Sequence, residues 1–487
     1  MTFGELFQNS KMQAADAPVG SLCKDSRQAN ASSVFFCLVG EKFDGHTFAA
    51  DAYRRGCRCF VAEHPLPIPK DAEVVLCDDA RGKLADLSAR FFGYPASRML
   101  VVGITGTKGK TTTALMLRGL LAAVGIPAAY IGSSGVFIGD AHYETENTTP
   151  ESVDLQYYLS LVAEAGIRIA ILEVSSQALA CGRVRGIRFP ISVFTNLTQD
   201  HIGTGEHRTM TEYRSAKLRL FSEFSSDKVI LNGEDPFSRV IFSHCGSCKC
   251  IFYGNCQNTS VFAEEIQEDL QDNRFYTRFR VFGYGETHAL RLPFAGRHYV
   301  SDLLAALTVA CELTGKRPGA FAGAVGKLWV DGRCEIFSVP HSGTFVIDYA
   351  HNGASLRAAL CGLRPYVRGK LYCLFGAIGE RSQCRRYDMA AVAARYADFS
   401  VITEDNPGDE DPEEIAREIL KSFGDSASVL TICDRAAAIR YLISAAKEGD
   451  VVLLAGKGNE KYQLRGTVRY PFSEAEILKE NGAKKET

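Results

Sequence analysis

The chain has 487 residues, enough for about three domains that each bury a core. Its 55 Lys and Arg residues nearly balance its 57 Asp and Glu residues, which gives no basic excess of the kind that favours nucleic acid. No stretch looks like a signal peptide or approaches about 18 uncharged apolar residues. We therefore expect a cytoplasmic protein that neither inserts into membranes nor binds nucleic acid.

The 16 cysteines are scattered through predicted strands and helices, which fits reduced thiols in the cytosol. One cluster, Cys245, Cys248, Cys250 and Cys256, could form a metal site. No second Cys-x-x-Cys pair lies at zinc-ribbon spacing, so packing is the favoured interpretation and metal binding stays open.

The first unit, residues 1–98, places short polar triplets beside strand-like runs. Asp25-Ser26-Arg27 and Asp44-Gly45-His46 lie on either side of the run Val34–Leu38. Such triplets form turns and also suit a ligand's polar groups. Gly93–Ala96 marks the connector to the next unit, because its Gly and Pro stop the preceding helix pattern.

The next feature along the chain is a predicted phosphate-binding loop. An apolar run breaks into a Gly-rich turn at Gly106–Gly109, followed by Lys110, Thr111 and a helix-compatible segment. Backbone N–H groups of such a turn point at an anion, the lysine supplies a charge for phosphates, and the threonine hydroxyl suits magnesium. The loop departs from the full Walker pattern, because Ile104 occupies the position of its first glycine.

Strands and helices alternate through residues 99–335, which predicts a mostly parallel sheet with its ligand site at the carboxyl ends of the strands. Two buried runs end there in polar groups, one at Glu173 and one at Asp200-His201. Farther on, Arg274–Leu292 has a period of two and a turn at Gly283–Gly285, which predicts an antiparallel hairpin. The other predicted strands are Ala128–Gly132, Ile169–Glu173, Ile191–Asn196 and Val229–Asn232.

The alternation restarts in residues 336–487. The predicted strands are Phe345–Asp348, Leu371–Phe375, Phe399–Thr403, Val429–Ile432 and Val451–Ala455. The sequence thus predicts an α/β protein of three domains: a small N-terminal α/β domain, a central P-loop domain with a mostly parallel sheet, and a Rossmann-like, doubly wound C-terminal domain. Two facing nucleotide-type domains suggest a cleft that closes on several substrates.

Nine motifs together resemble the ATP-dependent Mur ligases of bacterial cell-wall synthesis, most closely the members that add the third amino acid. They are Thr105–Thr111, Asn147–Pro150, Glu173–Ser176, Thr195–His201, Tyr213–Lys217, Asp331–Arg333, Asp348–His351, Asp405–Pro407 and Gly456–Gly458. Any one could arise by chance, but nine in family order are specific, and they extend over nearly the whole chain.

The resemblance implies a ligase that uses ATP and magnesium to join a diamino acid to UDP-MurNAc-L-Ala-D-Glu. The N-terminal domain would hold the UDP end, the central domain ATP, and the C-terminal domain the incoming amino acid. In the family reaction the substrate carboxylate attacks the γ-phosphate, and the amine then attacks the resulting acyl phosphate. We expect a monomer.

The resemblance also assigns residues to roles. Nucleotide binding falls to Gly106, Thr107, Lys108, Gly109, Lys110, Thr111, Thr112, Arg333, Asp348 and His351. Metal binding and catalysis fall to Thr111, Glu173, His201 and Lys217, together with Lys110, and the family's matching lysine is carbamylated by carbon dioxide. Substrate binding falls to Ser26, Arg27 and His46 for the UDP end, and to Asn147, Thr148, Thr149, Ser176 and Arg183 for the muramyl-dipeptide. The remaining substrate-binding residues are Arg381, Asp405, Asn406, Gly456 and Glu460.

One difference from the family pattern predicts which amino acid is added. Family members that use meso-diaminopimelate resemble one another in an Asp-Asn-Pro-Arg motif, whose arginine pairs with the far carboxylate. Here Gly408 stands at the fourth position, close in sequence to Asp405, Asp409 and Glu410, with Glu460 on another loop. An acidic pocket without that arginine favours L-lysine, with diaminopimelate, ornithine or another diamino acid as alternatives.

Other departures leave further points open. Tyr299 and Asp302 stand where the family often has asparagines near the adenine, Ser382 where an Asp is frequent, and Gln177 where a His is common. Two alternatives to this ligase remain. One is a sister ligase resembling folylpolyglutamate synthetase, and the other is a non-catalytic nucleotide-binding homologue.

Overall fold

The computed structural model describes residues 1–12, 15–40, 43–200, 202–203, 207–224, 226–254, 259–271, 274–379, 383–424 and 428–486. Its first part contains a four-stranded parallel sheet in the order β1-β2-β3-β4. The elements are α1 (Phe3–Phe7), β1 (Ser21–Cys23), β2 (Ser33–Phe36), α2 (Ala49–Arg54), β3 (Cys59–Ala62), β4 (Glu73–Leu76) and α3 (Ala80–Phe91). Short 3₁₀ turns at Ser26–Gln28 and Gly45–Phe48 hold the two polar triplets, and both turns lie against α2.

The second part is built on an 11-stranded sheet in the order β15-β14-β13-β12-β11-β10-β5-β9-β6-β7-β8. In chain order its elements are β5 (Leu100–Thr105), α4 (Lys110–Ala123), β6 (Ala129–Gly132), β7 (Gly135–Ile138), β8 (Ala141–Tyr143), α5 (Ser152–Glu164), β9 (Ile169–Glu173), α6 (Ser176–Ala180), β10 (Ile191–Phe194), α7 (Met210–Ser222), β11 (Lys228–Asn232), α8 (Phe237–His244), β12 (Lys249–Gly254), β13 (Val261–Gln271), β14 (Arg274–Gly283), β15 (Glu286–Leu292), α9 (Arg297–Thr314) and α10 (Ala322–Val325). The middle strands are parallel and almost wholly apolar, because helices cover both faces.

The third part contains a seven-stranded sheet in the order β20-β19-β18-β21-β17-β16-β24, in which β16 pairs antiparallel with both β17 and β24 and the other pairs are parallel. Its elements are β16 (Glu335–Ser338), β17 (Thr344–Asp348), α11 (Gly353–Leu363), β18 (Leu371–Phe375), α12 (Gln383–Tyr396), β19 (Phe399–Ile402), α13 (Pro412–Lys421), β20 (Val429–Thr431), α14 (Arg435–Ala445), β21 (Val451–Ala455), β22 (Tyr462–Arg465), β23 (Val468–Pro471), α15 (Glu474–Glu480) and β24 (Lys484–Lys485). The hairpin β22–β23 stands apart from this sheet.

The α/β class and parallel-rich sheets predicted from the sequence are confirmed. The strands predicted at Ile169–Glu173, Leu371–Phe375 and Val451–Ala455 have the predicted bounds, and the predicted hairpin is β14–β15. The domain bounds themselves stay a prediction. Among the described residues no helix is long and apolar enough to cross a membrane. Each of the 15 cysteines described is a free thiol, and Cys256 lies outside the described residues.

Candidate active site

The predicted phosphate loop connects β5 to α4, at the carboxyl edge of the central sheet. Lys110 begins α4, and its Nζ donates to the backbone carbonyls of Gly106 and Thr107 at 2.9 and 3.0 Å. Burial lowers the pKa of Lys110. The loop therefore folds around the ammonium group that would face a phosphate.

The segment after β10 holds this loop in place. Asn196 accepts from Lys108 N at 2.9 Å through its side-chain oxygen, and its backbone carbonyl accepts from Thr107 N at 2.8 Å. Thr195 Oγ1 donates to Lys108 O at 2.6 Å. A Cβ at Gly106 would lie 1.9 Å from Thr195 Oγ1, so only glycine fits this close approach.

Gly109 fits closely against α9. Its φ is 83°, in the left-handed region, and a Cβ there would lie 2.2 Å from Asp302 Oδ1. Burial raises the pKa of Asp302 well above its ordinary value. Asp302 thus packs against the phosphate loop itself. The sequence had left open whether it contacts the adenine.

Gly109→Ala should lower the free energy of unfolding by more than Gly125→Ala, a matched control with φ 76° and no atom within 4 Å of the added Cβ. Each variant carries backbone strain of about 1–3 kcal/mol, and only Gly109→Ala adds the Asp302 clash. Denaturant unfolding measures both losses. Equal losses would contradict a role for the Asp302 contact.

Glu173 ends β9 as a completely buried carboxylate with several donors. Its Oε1 accepts from the Tyr130 hydroxyl at 2.5 Å and from Ser133 N at 3.1 Å, and its Oε2 accepts from Thr111 Oγ1 at 3.0 Å. These bonds fix the carboxylate beside the hydroxyl of the first helical turn. The two side chains present hard oxygen donors, which are the ligands magnesium prefers, so the residues present fit that ion.

Lys217 lies on α7 with only 1% of its surface exposed. Its Nζ donates to Gly106 O at 2.8 Å, so Lys217 and Lys110 share one carbonyl oxygen, and it lies 4.5 Å from the centre of the Tyr213 ring. Burial, reinforced by the nearby Lys110 charge, lowers the pKa of Lys217 well below its ordinary value. Lys217 is therefore not a surface lysine, and its amine lies beside the phosphate loop.

Asp200 connects the central part to the C-terminal part. Lys108 Nζ lies 3.0 Å from its Oδ2, which also accepts from Asn352 Nδ2 at 2.9 Å, and Arg385 pairs with its Oδ1. Lys108 Nζ also donates to His351 Nε2 at 3.1 Å. Desolvation lowers the pKa of Lys108 to about 8 and that of His351 well below its ordinary value. The predicted nucleotide residues Lys108 and His351 are thus in direct contact.

The predicted residues Asp348 and Arg333 lie at the same junction. Asp348 Oδ2 accepts from the Tyr299 hydroxyl at 2.5 Å and from Cys334 N at 3.0 Å. The Arg333 guanidinium lies 4.5 Å from the centre of the Tyr349 ring. Tyr299 therefore links α9 to β17 through this hydrogen bond. The sequence alone had left the role of Tyr299 open.

The residues predicted to bind the incoming amino acid surround Lys457. This lysine is completely buried, and the sequence alone assigned it no role of its own. Lys457 Nζ donates to Asn406 Oδ1 at 2.5 Å and lies 3.2 Å from Glu460 Oε2 and 3.5 Å from Asp405 Oδ1. Asn406 Nδ2 donates to Glu460 Oε2 at 3.0 Å. Burial raises the pKa of Glu460. A Cβ at Gly456 would lie 2.8 Å from Asp405 Oδ2, which places Gly456 against this group.

Two buried carboxylate oxygens in this group accept no hydrogen bond from the described residues, Glu404 Oε2 and Asp405 Oδ1. The other Glu404 oxygen lies 2.6 Å from Arg465 Nη2. Arg465 forms a β-bridge with Gly408, whose φ is 62°. The guanidinium of Arg465, from the hairpin β22–β23, thus pairs with the residue just before the motif, and the Arg465 backbone lies beside Gly408.

The predicted muramyl-dipeptide residues surround the backbone beyond Glu173. Thr149 Oγ1 donates to Glu173 O at 2.8 Å, Thr148 Oγ1 lies 2.9 Å from Ser133 Oγ, and Arg183 Nη1 donates to Thr149 O at 3.1 Å. Ser176 is buried at the start of α6, whereas Asn147 is exposed. Ser133 and Tyr130 were missed, although a Gly-Ser-Ser run directly after a strand is a usable signal.

The N-terminal residues lie in polar turns. Ser26 Oγ donates to Asp51 Oδ2 at 2.9 Å, and Arg27 pairs with Asp25. His46 uses both ring nitrogens, since Nδ1 lies 2.6 Å from Asp44 Oδ1 and Nε2 accepts from Glu63 N at 3.1 Å. These contacts define the turns, and the predicted UDP contacts stay a prediction.

Three positions named from the sequence, His201, Arg381 and Ser382, lie outside the described residues. Asn352 and Arg385 were missed as partners of Asp200. The sequence indicates other roles for both residues. Asn352 has the spacing of a helix cap with Ser355, and Arg385 lies early in helix α12. Gln177 lies in the first turn of α6.

Comparison with known proteins identifies the family. Residues 104–310 match the Mur ligase middle domain, and residues 332–458 match the Mur ligase glutamate ligase domain. The chain is 38% identical to the UDP-N-acetylmuramoyl-L-alanyl-D-glutamate--2,6-diaminopimelate ligase of Geobacillus kaustophilus, over 93% of each chain, and 34% identical to that of Syntrophomonas wolfei, over 95% of each. A solved structure of a ligase with the same name has 28% identity and a TM-score of 0.69, and it covers 99% of this chain and 98% of its own. With this extent of identity, the chain belongs to the Mur ligase family.

Proposed function

We propose that this chain is an ATP-dependent ligase that joins a diamino acid, as the third residue, to UDP-MurNAc-L-Ala-D-Glu in peptidoglycan synthesis. The observation that carries the proposal is the convergence of Lys110, Lys217 and the Thr111–Glu173 pair on one phosphate loop. A scaffold that only bound nucleotide would have no need of a buried carboxylate and a buried amine at that loop.

The residues would act mainly by position and charge. Lys110 places a cation at the loop where the γ-phosphate would lie while the substrate carboxylate attacks it. The attack forms an acyl phosphate and ADP, and the amine of the diamino acid then forms the amide and releases phosphate. Magnesium held by Thr111 and Glu173, and by His201 in the family pattern, would neutralise phosphate charge. Thr149, which donates to Glu173 O, would orient the attacking carboxylate together with Thr148 and with Arg183, which donates to Thr149 O.

We further propose that Lys217 is carbamylated. Its neutral amine reacts with carbon dioxide to form an N-carboxylate and release one proton. Counted from the ammonium form, two protons leave, and a cation becomes an anion. Only the neutral amine reacts, and burial next to Lys110 favours that form. The new oxygens would lie beside the phosphate loop, where a second magnesium ion is needed in the family reaction.

Phosphate release from ATP tests the proposal. We expect release only when both UDP-MurNAc-L-Ala-D-Glu and a diamino acid are present, with formation of the tripeptide product. Release with a folate and glutamate instead would favour the sister ligase. No release with any pair, despite ATP binding, would favour a non-catalytic homologue.

Among diamino acids we propose L-lysine as the first candidate. Gly408 has no side chain to pair with a far carboxylate. Glu404 Oε2 is a buried acceptor without a hydrogen bond from the described residues, and Asp405 Oδ1, which also accepts none, lies 3.5 Å from the Lys457 ammonium. Acceptors of this kind suit an ammonium group. Meso-diaminopimelate is the second candidate. The relatives carry that name, and Arg465 lies beside Gly408.

Arg465→Gln separates these candidates, because Arg465 is the guanidinium next to the motif. If L-lysine is the substrate, Arg465→Gln should change the kcat/KM for L-lysine little. If diaminopimelate is the substrate, loss of a bidentate pair should lower kcat/KM by roughly 10–100-fold. Arg469→Gln on the same hairpin, where the guanidinium lies over the Tyr462 ring, is the matched control. Faster wild-type turnover with diaminopimelate than with L-lysine would refute the first candidate.

We propose that the enzyme acts as a monomer in the cytoplasm, with residues 1–98, 99–335 and 336–487 holding UDP, ATP and the amino acid respectively. Free thiols at every described cysteine fit a reducing compartment. Analytical ultracentrifugation at the concentration used for assays tests the monomeric state, and we expect the mass of a single chain, 53.2 kDa.

A further inference from the structure

Three cysteine side chains meet where α8 ends and β12 begins. Cys245 follows the last residue of α8, Cys248 closes a turn through a hydrogen bond from its N to Cys245 O at 3.3 Å, and Cys250 is the second residue of β12. Gly246, with a φ of 59°, permits this turn. The three Sγ atoms all lie within 4.8 Å of one another.

This cluster is separate from the candidate active site. Strands β5, β10, β11 and β12 run parallel, and the phosphate loop follows the carboxyl end of β5. The cysteines lie at the opposite, amino-terminal end of β12. No step of the proposed ligase reaction uses them.

The spacing suits a single thiophilic cation. Thiolate–zinc bonds of about 2.3 Å in a tetrahedral site place the sulfur atoms about 3.8 Å apart. The present Sγ separations are within 4.8 Å, so small side-chain rotations would bring all three onto one ion. Thiolates select soft or borderline cations such as zinc over magnesium or calcium, which prefer oxygen.

The surroundings allow a cation to enter. Cys245 is buried, whereas Cys248 and Cys250 are partly exposed. The thiol hydrogen bonds that binding would remove are weak, from Cys245 Sγ to Ile241 O at 3.1 Å and from Cys248 Sγ to Cys245 O at 2.8 Å. Lys249 is already paired with Glu312.

We propose that Cys245, Cys248 and Cys250 bind one zinc-like cation as three thiolates, with a water molecule or a small external ligand at the fourth position. Binding converts three thiols into thiolates and releases three protons to solvent. Burial and the neighbouring thiols raise the pKa of Cys245, and they raise that of Cys250 to about 11, so these two groups are thiols before an ion binds. The ion would join the end of α8 to the start of β12.

The test titrates the full-length, chelator-treated and fully reduced protein with cobalt(II), followed by zinc(II) competition. We expect one equivalent of cobalt with a thiolate-to-cobalt charge-transfer band that zinc abolishes. Cys248→Ser or Cys250→Ser should weaken cobalt binding at least about 100-fold, because even outer-shell partners of metal ligands account for 10–100-fold. The exposed thiols Cys361 and Cys384 supply matched controls, so Cys361→Ser and Cys384→Ser should keep the band.

Three results would overturn the proposal: no charge-transfer band in the wild type, the same band in Cys248→Ser and Cys250→Ser, or its loss in the control variants. Circular dichroism and ligase turnover in each variant distinguish loss of the site from loss of the fold. A band lost while turnover remains also separates this site from the proposed ligase function.

Discussion

Lys217→Ala should reduce ligase turnover by about 1,000-fold or more, because it removes a charged group placed at the reacting phosphate. The wild-type amine donates to Gly106 O from a completely buried position beside Lys110. Carbamylation makes a second prediction for the same residue. Removing carbon dioxide from the buffers should lower the wild-type rate, and added bicarbonate should restore it.

Arg214→Ala is the matched control for Lys217→Ala, since Arg214 lies exposed on the same helix α7. Its turnover should stay near the wild-type value. A short carboxylic acid should partly restore the Lys217→Ala variant, because it returns an anion to the space left by the side chain. Full activity of Lys217→Ala without any addition would rule out the proposed role.

Glu173→Gln should lower turnover about 100-fold and raise the magnesium concentration needed for half-maximal rate. The substitution removes a negative charge next to Thr111 Oγ1 and places an amide among donors from Tyr130 and Ser133. Turnover measured as a function of magnesium concentration separates weaker metal binding from slower chemistry.

Tyr130→Phe is the comparison for Glu173→Gln. It removes one donor to Glu173 Oε1 but leaves the carboxylate in place. Turnover should fall less than in Glu173→Gln, and the magnesium requirement should stay close to that of the wild type. An unchanged magnesium requirement in Glu173→Gln would mean that this carboxylate does not bind the metal.

Much of the fold could be predicted because its central strands are continuous apolar runs between clear turns. Ile169–Glu173 and Leu371–Phe375 are examples, and both have their predicted bounds. Helix α9 was missed because it is buried on nearly all sides, so its Leu- and Ala-rich sequence has no polar face to reveal a helical period. Strand β13 was missed because a register shift between Glu264 and Gln267 breaks its alternation.

The candidate site could be predicted where polar residues end a strand or directly follow one. Glu173 and the phosphate loop are such positions, and their contact through Thr111 follows from neighbouring parallel strands. The Asp200 contacts could not be predicted, because Asn352 and Arg385 lie more than 150 residues away in sequence. Local periodicity carries no information about how separate sheets face each other.

The Asp200 contacts have a thermodynamic consequence for the two halves of the enzyme. Lys108 belongs to the loop proposed for ATP, whereas Asn352 and Arg385 belong to the part proposed for the amino acid, and all three bind one carboxylate. A ligand that binds one of these two parts and strengthens the Asp200 contacts makes binding of the second ligand to the other part more favourable. By linkage, ATP and the diamino acid would then each tighten the other's binding by the same factor, even without touching.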